Sequence, residues 1–219
     1  MAKEYRFTLP AEEQEVRRLK IGDIVYLTGT CYTMRDMGHR RSIEILQQEE
    51  ALPFNLAKGA LWHCGPIVKK EGESWQVVSA GSTTSSRFTP LGSELIRQVK
   101  VRFTIGKGTM GPEAVAAMQE IGACYLNSIG GCAALYAEQI KAVKTVFWTD
   151  LGLPEAIWVL EVENLGPLVV GIDSHGQSLF ENIKKDMQKA LQEIYAASRL
   201  EKGYSYTYLP RRVPGKLDR

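Results

Sequence analysis

The chain has 219 residues, a formal charge of +2, 44% apolar and 24% charged side chains, the composition of one ordinary globular domain with a sizeable core. So small a positive excess argues against a nucleic-acid binder. No stretch approaches the ~18 apolar residues of a membrane helix, and Met1 to Pro10 lacks an apolar segment of signal type. A cytoplasmic protein that meets neither membrane nor nucleic acid is expected.

Pro10 followed by Ala11-Glu12-Glu13 reads as a helix start with acids in the first turn. Ile24 to Thr28 reads as a buried strand, and Gly29 to Thr33 as a loop leading to Arg35. A helix is expected from Ser42 to Glu50. Leu61 to Cys64 and Trp75 to Ser79 are candidate strands joined by a polar turn, Lys69 to Glu73. A Ser/Thr-rich loop, 80–90, leads to a helix over Gly92 to Val99. Val101 to Ile105 is a strand running into Gly106-Lys107-Gly108-Thr109-Met110-Gly111, and Pro112 opens a helix through Ile121.

Cys124 to Ile129 is a further strand, and Gly130-Gly131 lead into a short helix. Val143 to Trp148, Ile157 to Val162 and Leu168 to Ile172 are three more strands. Ile183, Met187, Leu191 and Ile194 fall at helical spacing in a long helix from Leu179 to about Leu200. Strands alternating with helices predict an α/β class, one compact domain over 1–200. The tail, 201–219, holds Tyr, Pro and five basic residues from Lys202 on, and is expected to be flexible or partner-bound.

Cys31, Cys64, Cys124 and Cys132 are irregularly spaced, with no C-x-x-C pair. They read as small buried hydrophobes, so no metal site is expected inside this chain. A disulfide scaffold is not expected either.

Three stretches could carry chemistry. Gly106-x-Gly108-x-x-Gly111 after a strand has the outline of a dinucleotide turn. It also fits a plain structural turn, or a grip on a carboxylate or phosphate. The grip is favoured because no acid ends the next strand to hold a ribose, Asn127 and Ser128 standing there. Lys107 within the turn would add an ammonium to backbone N–H groups and a helix dipole.

The second stretch is Gly81-Ser82-Thr83-Thr84-Ser85-Ser86-Arg87, either an exposed polar loop or an oxyanion grip to which Arg87 adds a bidentate fork. The third is Thr33 to Arg41, where Asp36 and His39 at i, i+3 can meet on one helix face and move protons, or Asp36 can simply cap the helix. His63 and His175 have weaker claims and read first as structural. Arg35, Arg87 and Lys107 all sit at strand–loop–helix junctions, where sites in α/β folds collect. Several cations and hydroxyls without a metal triad, a nucleophile elbow or a phosphate loop describe a dicarboxylate receptor.

These residues resemble the β subunit, or C-terminal domain, of class I iron–sulfur fumarases and L-tartrate dehydratases. The matching stretches are Gly22-Asp23, Tyr26-Leu27-Thr28-Gly29-Thr30, Thr33, Arg35-Asp36, His39, His63, Gly65-Pro66, the Gly81 to Arg87 loop and Gly106-Lys107-Gly108. Gly130-Gly131, Ala133-Ala134-Leu135 and Leu151 to Ala156 complete them. The resemblance implies a swivelling β/β/α domain and a hydro-lyase active only with a partner α subunit. That partner would hold a 4Fe–4S cluster on its own cysteines, one iron acting as a Lewis acid on the leaving hydroxyl. A heterotetramer with two copies of each subunit is the family expectation.

By the same resemblance, Arg35, Arg87 and Lys107 would grip the carboxylates, with Thr84 and Gly106 beside them. Thr83 would sit near the carbon that loses or gains a proton, and would need a neighbouring base, from this chain or from the other subunit. Asp36 and His39 are the local candidates for it. Ser82 stands where Pro is more often found, Phe88-Thr89 where Met with an acid is common, Met37-Gly38 in place of Ala-Ala, and Thr109 in place of Gly. None of these removes a cation or the Thr pair, so they bear on substrate choice more than on chemistry. Fumarate and malate are favoured over tartrate; a nucleotide-binding module and a purely structural subunit are the competing readings.

Overall fold

The computed structural model describes residues 2–198, so the expected tail lies outside the described residues. A compact unit extends to Asn182, and Ile183 onward groups separately.

In chain order the elements are β1 (Glu4–Thr8), α1 (Glu13–Val16), β2 (Ile24–Thr33), α2 (Asp36–Gln47), β3 (Ala60–Trp62), β4 (Ile67–Glu71) and β5 (Ser74–Ser79). They continue with α3 (Thr89–Val99), β6 (Phe103–Gly106), α4 (Pro112–Ile121), β7 (Cys124–Asn127), α5 (Ala133–Glu138), β8 (Ile140–Phe147), β9 (Ile157–Ile172) and α6 (Leu179–Ala197). β1 was not expected from the sequence. Gly29 to Thr33, expected as a loop, extends β2, and the two strands expected between Ile157 and Ile172 are one. The hairpin is β4–β5; Leu61 belongs to the main sheet instead.

The main sheet runs β1-β2-β3-β6-β7-β9-β8, with β2 also paired to β9. The neighbours from β1 to β7 are parallel, while β9 is antiparallel to β2, β7 and β8. Because β9 bonds to both β2 and β7, the strands β2, β3, β6, β7 and β9 close into a barrel. Register shifts in β2 between Val25 and Gly29, and a positive φ at Asn164 in β9, bend the two long strands around the closure. The class is mixed α/β.

Alternation along the strands sorts side chains into two cores. Trp62, Phe103, Ile105, Cys124, Leu126 and Trp158 fill the barrel interior. Leu61, Tyr125 and Ile172 face outward and pack with Ile43 of α2, Leu95 and Ile96 of α3 and Ala117 and Met118 of α4. Burying an aliphatic side chain of this kind contributes roughly 1.5–3 kcal/mol. On α6, Phe180, Ile183, Met187, Leu191 and Ile194 are exposed. No described helix is long and apolar enough to cross a membrane.

Candidate active site

The carboxyl ends of the parallel strands assemble the expected residues. β2 runs out at Thr33 and turns through Arg35 into α2; β3 ends before His63; β6 ends at Gly106 beside Lys107; β7 ends before Ser128. The Ser/Thr loop lies along these ends as a short extra strand. Ser82 bridges Cys64, and Thr84 bridges Lys107 in parallel. The Thr83 N–H donates to the His63 carbonyl at 2.7 Å, the Lys107 N–H to the Thr83 carbonyl at 3.2 Å, and the Ser85 N–H to the Lys107 carbonyl at 3.0 Å. A 3-10 turn, Ser85–Phe88, then carries Arg87 back to α2.

There Arg87 Nη2 donates to Asp36 Oδ2 at 2.8 Å. Arg35 is the N-cap residue of α2. Its Nε lies 3.4 Å from Glu155 Oε1, while Glu155 Oε2 accepts the Met37 N–H at 2.9 Å. Gly65 leaves room for Arg35: a Cβ there would stand 2.5 Å from the Pro154 carbonyl and 2.8 Å from Arg35 Cδ. Lys107 is exposed, and among the described residues its ammonium forms no ion pair. Thr83 is half-buried and Thr84 exposed.

Beneath this surface lies a buried polar layer. His39 is fully buried and its Nδ1 donates to the Arg35 carbonyl at 2.8 Å, which leaves Nε2 as an unpartnered lone pair. Burial pushes its pKa down to about 4, against the opposing pull of the Arg35 carbonyl and Asp36. The ring stacks on Phe88, with centroids 4.9 Å apart. The side-chain pair expected between Asp36 and His39 is therefore not made: Asp36 turns outward to Arg87 and His39 inward. His63, also fully buried, has Nδ1 2.8 Å from Ser85 Oγ. Burial, then His39 and Arg87, hold its pKa well below the ordinary value. His175 lies elsewhere, against the Arg17 carbonyl.

In the glycine turn one of the expected N–H donors is already engaged. The Gly111 N–H at the start of α4 is taken by Thr89 Oγ1 at 2.9 Å, and Glu113 stands in the first turn. The helix dipole already faces an acid. Ser82, one of the departures from the family pattern, accepts the Trp62 indole N–H at 2.6 Å and lies 2.5 Å from the Ser128 hydroxyl, which reaches the Gly106 carbonyl at 3.1 Å. A proton chain from Trp62 through Ser82 and Ser128 to Gly106 satisfies all four groups. Neither the Ser85–His63 contact nor this chain was foreseen from the sequence; each joins residues about twenty or more positions apart.

The cysteines make no donor set for an iron–sulfur cluster. Cys31, Cys64 and Cys124 are buried, and burial pushes the thiols of Cys64 and Cys124 up to about 12, far from the thiolate a cluster needs. Among the described residues no group of three His, Cys, Asp or Glu could hold a metal ion.

A family model described as the fumarase C-terminus matches residues 2–183. A Methanocaldococcus jannaschii protein, provisionally named L(+)-tartrate dehydratase subunit beta, is 44% identical over 87% of this chain and 98% of its own length. The Escherichia coli K12 protein named L(+)-tartrate dehydratase subunit beta is 42% identical over 81% of this chain and 87% of its own. A Geobacillus stearothermophilus protein, provisionally named fumarate hydratase class I, is 40% identical over 84% of this chain but only 35% of its own length.

Proposed function

We propose, from the premise that this chain belongs to the fumarase C-terminus family, that its exposed cations and Thr83 grip a four-carbon dicarboxylate while water is added or removed. The chain is the β subunit of a hydro-lyase of the fumarate hydratase class I or L(+)-tartrate dehydratase type. A subunit named β implies a partner. The cluster required by the chemistry is assigned to that α subunit, in a heterotetramer, since this chain's thiols do not fit it. The closed barrel would be the swivelling β/β/α domain that shuts over the substrate.

The observation that carries this reading is the ladder of Thr83, Thr84 and Lys107 with Arg87 one turn beyond. It brings the Ser/Thr loop and the Lys107 turn side by side, with Thr84 paired to Lys107 and Thr83 bonded to it through the backbone, which supports a shared anion grip. Lys107, free of carboxylate partners among the described residues, meets one carboxylate of the substrate as a point charge. Arg87, oriented by Asp36, offers a planar fork to the other. Arg35, leaning on Glu155, adds a third cation at the start of α2. The Gly106 carbonyl is held by Ser128, so Gly106 shapes the turn that presents Lys107. Thr83 sits at the reacting carbon and needs a base, because an unassisted hydroxyl does not ionise near neutral pH. His39 acts through the Arg35 carbonyl, and Asp36 through Arg87, unless substrate binding releases the carboxylate to take the proton.

A second reading concerns the substrate. The relatives that share the length of a separate subunit carry the tartrate dehydratase name, whereas the fumarate hydratase relative is a much longer chain. That favours L(+)-tartrate, dehydrated towards oxaloacetate, over malate. Co-expression with the neighbouring α subunit, anaerobic cluster reconstitution and assays with malate and L(+)-tartrate test both readings. Turnover of one of them that collapses in Arg87→Ala and Lys107→Ala is expected. Full activity of the α subunit alone would overturn the proposal.

A further inference from the structure

The ladder that presents Thr83 and Lys107 is held by only three backbone hydrogen bonds, one of them 3.2 Å long. A strand so short has weakly specified register, and a slip of one residue would turn Thr84 to the face that Thr83 occupies. Two side chains in the segment are anchored: Ser82 at its start, by Trp62 and Ser128, and Ser85 at its end, where Arg87 follows. Ser85 is fully buried, with its hydroxyl 2.8 Å from His63 Nδ1. That hydroxyl fills the space above Gly106: a methyl group there would overlap Ser85 Oγ and stand 2.8 Å from the Tyr125 hydroxyl. The His63 carbonyl in turn receives the Thr83 N–H. The His63 ring is wedged by Phe88, at 4.5 Å between centroids, and Phe88 directly follows Arg87.

We propose that His63, Ser85 and Gly106 form a positioning lock, which sets the register of Thr83 and Thr84 along Lys107, with Thr84 the residue paired to it, and the pose of the turn carrying Arg87. None of the three needs to touch substrate. The lock rests on the hydro-lyase reading above for its catalytic consequence. Its geometric content, a pinned register, stands apart from that reading. Displacement of a gripping group by about 1 Å can cost on the order of 100-fold in rate, so a lock of this kind acts far beyond its own hydrogen bond.

The test uses the full chain assembled with its α subunit and compares Ser85→Ala, His63→Leu and His63→Asn. The Asn amide reaches the position of Nδ1; Leu fills the volume without a polar atom. Ser85→Ala and His63→Leu are expected to lower kcat/KM at least tenfold in complexes that still assemble. His63→Asn is expected to stay within threefold of the unmodified protein. In hydrogen exchange, Ser85→Ala should speed the Thr83 and Lys107 amides at least tenfold and leave the Cys124 amide unchanged. Kinetics within threefold for Ser85→Ala and His63→Leu, or equal loss in His63→Asn and His63→Leu, would overturn the lock. If the unmodified complex turns over neither malate nor tartrate, the functional reading has failed and exchange alone decides: unchanged Thr83 and Lys107 amides in Ser85→Ala would sink the lock as well.

Discussion

The guanidinium of Arg87 donates to the carboxylate of Asp36 at 2.8 Å, tying the Ser/Thr loop to the first residue of α2. Both side chains are about two-fifths exposed, so the pair contributes at most about 1 kcal/mol to folding. Its consequence is orientation. Asp36→Asn should leave the urea midpoint nearly unchanged and raise KM for the dicarboxylate several-fold. Arg87→Ala removes a charge-assisted hydrogen bond worth about 1.5–3 kcal/mol, so KM should rise roughly 10- to 100-fold. Steady-state kinetics separate the roles: a large loss of kcat at constant KM in Asp36→Asn would make Asp36 the proton-transfer group instead.

Lys107 is exposed and pairs with no carboxylate among the described residues. Lys107→Ala should therefore change unfolding free energy by no more than about 0.5 kcal/mol, while kcat/KM drops tenfold or more. A paired melt and rate measurement checks this; a destabilised protein would point to a structural role for the ammonium.

His39 gives a pH dependence with a definite sign. Its folded pKa, about 4, lies below the unfolded value of 6.5 because the ring is buried. As pH falls through 6.5 the unfolded chain takes up a proton that the folded chain refuses until about pH 4. Stability present above 6.5 is thus lost between 6.5 and 4, on the order of 3 kcal/mol at full effect. His63 is shifted in the same direction by burial and adds to the slope. Urea midpoints across that range should fall, and should fall less steeply in His39→Asn.

Gly106→Ala should destabilise the fold by about 1–3 kcal/mol, through overlap with Ser85 Oγ and the Tyr125 hydroxyl. Adding Ser85→Ala removes one of the two obstacles, so the double variant should be more stable than Gly106→Ala alone. Additive losses in chemical denaturation would show that the two positions are not in contact.

Local signals were legible in the sequence where the chain carries its own punctuation. Pro112 opens α4 at the first helical position and the helix runs to Ile121, as expected. Arg35, Arg87 and Lys107 stand at junctions that side-chain type and spacing reveal, and with the Thr83-Thr84 pair they motivate the anion site proposed for this chain. The two apolar runs Ile157 to Val162 and Leu168 to Ile172 read as separate strands; pairing of both to β2, and of the second to β7, keeps them and the bent segment between them in one element.

What the sequence determined by itself was most of the helices and strands and a set of candidate anion-gripping residues, since caps, periodicity and motif spacing act over a few positions; β1 and the unbroken β9 escaped it. Barrel closure was decided only by the tertiary structure, as was the choice of Arg87 over His39 as the partner of Asp36. So was the seating of Ser85 in the hollow left by Gly106. Each of these joins residues tens of positions apart, and such contacts exist only once the strands are in register and the interior has excluded water.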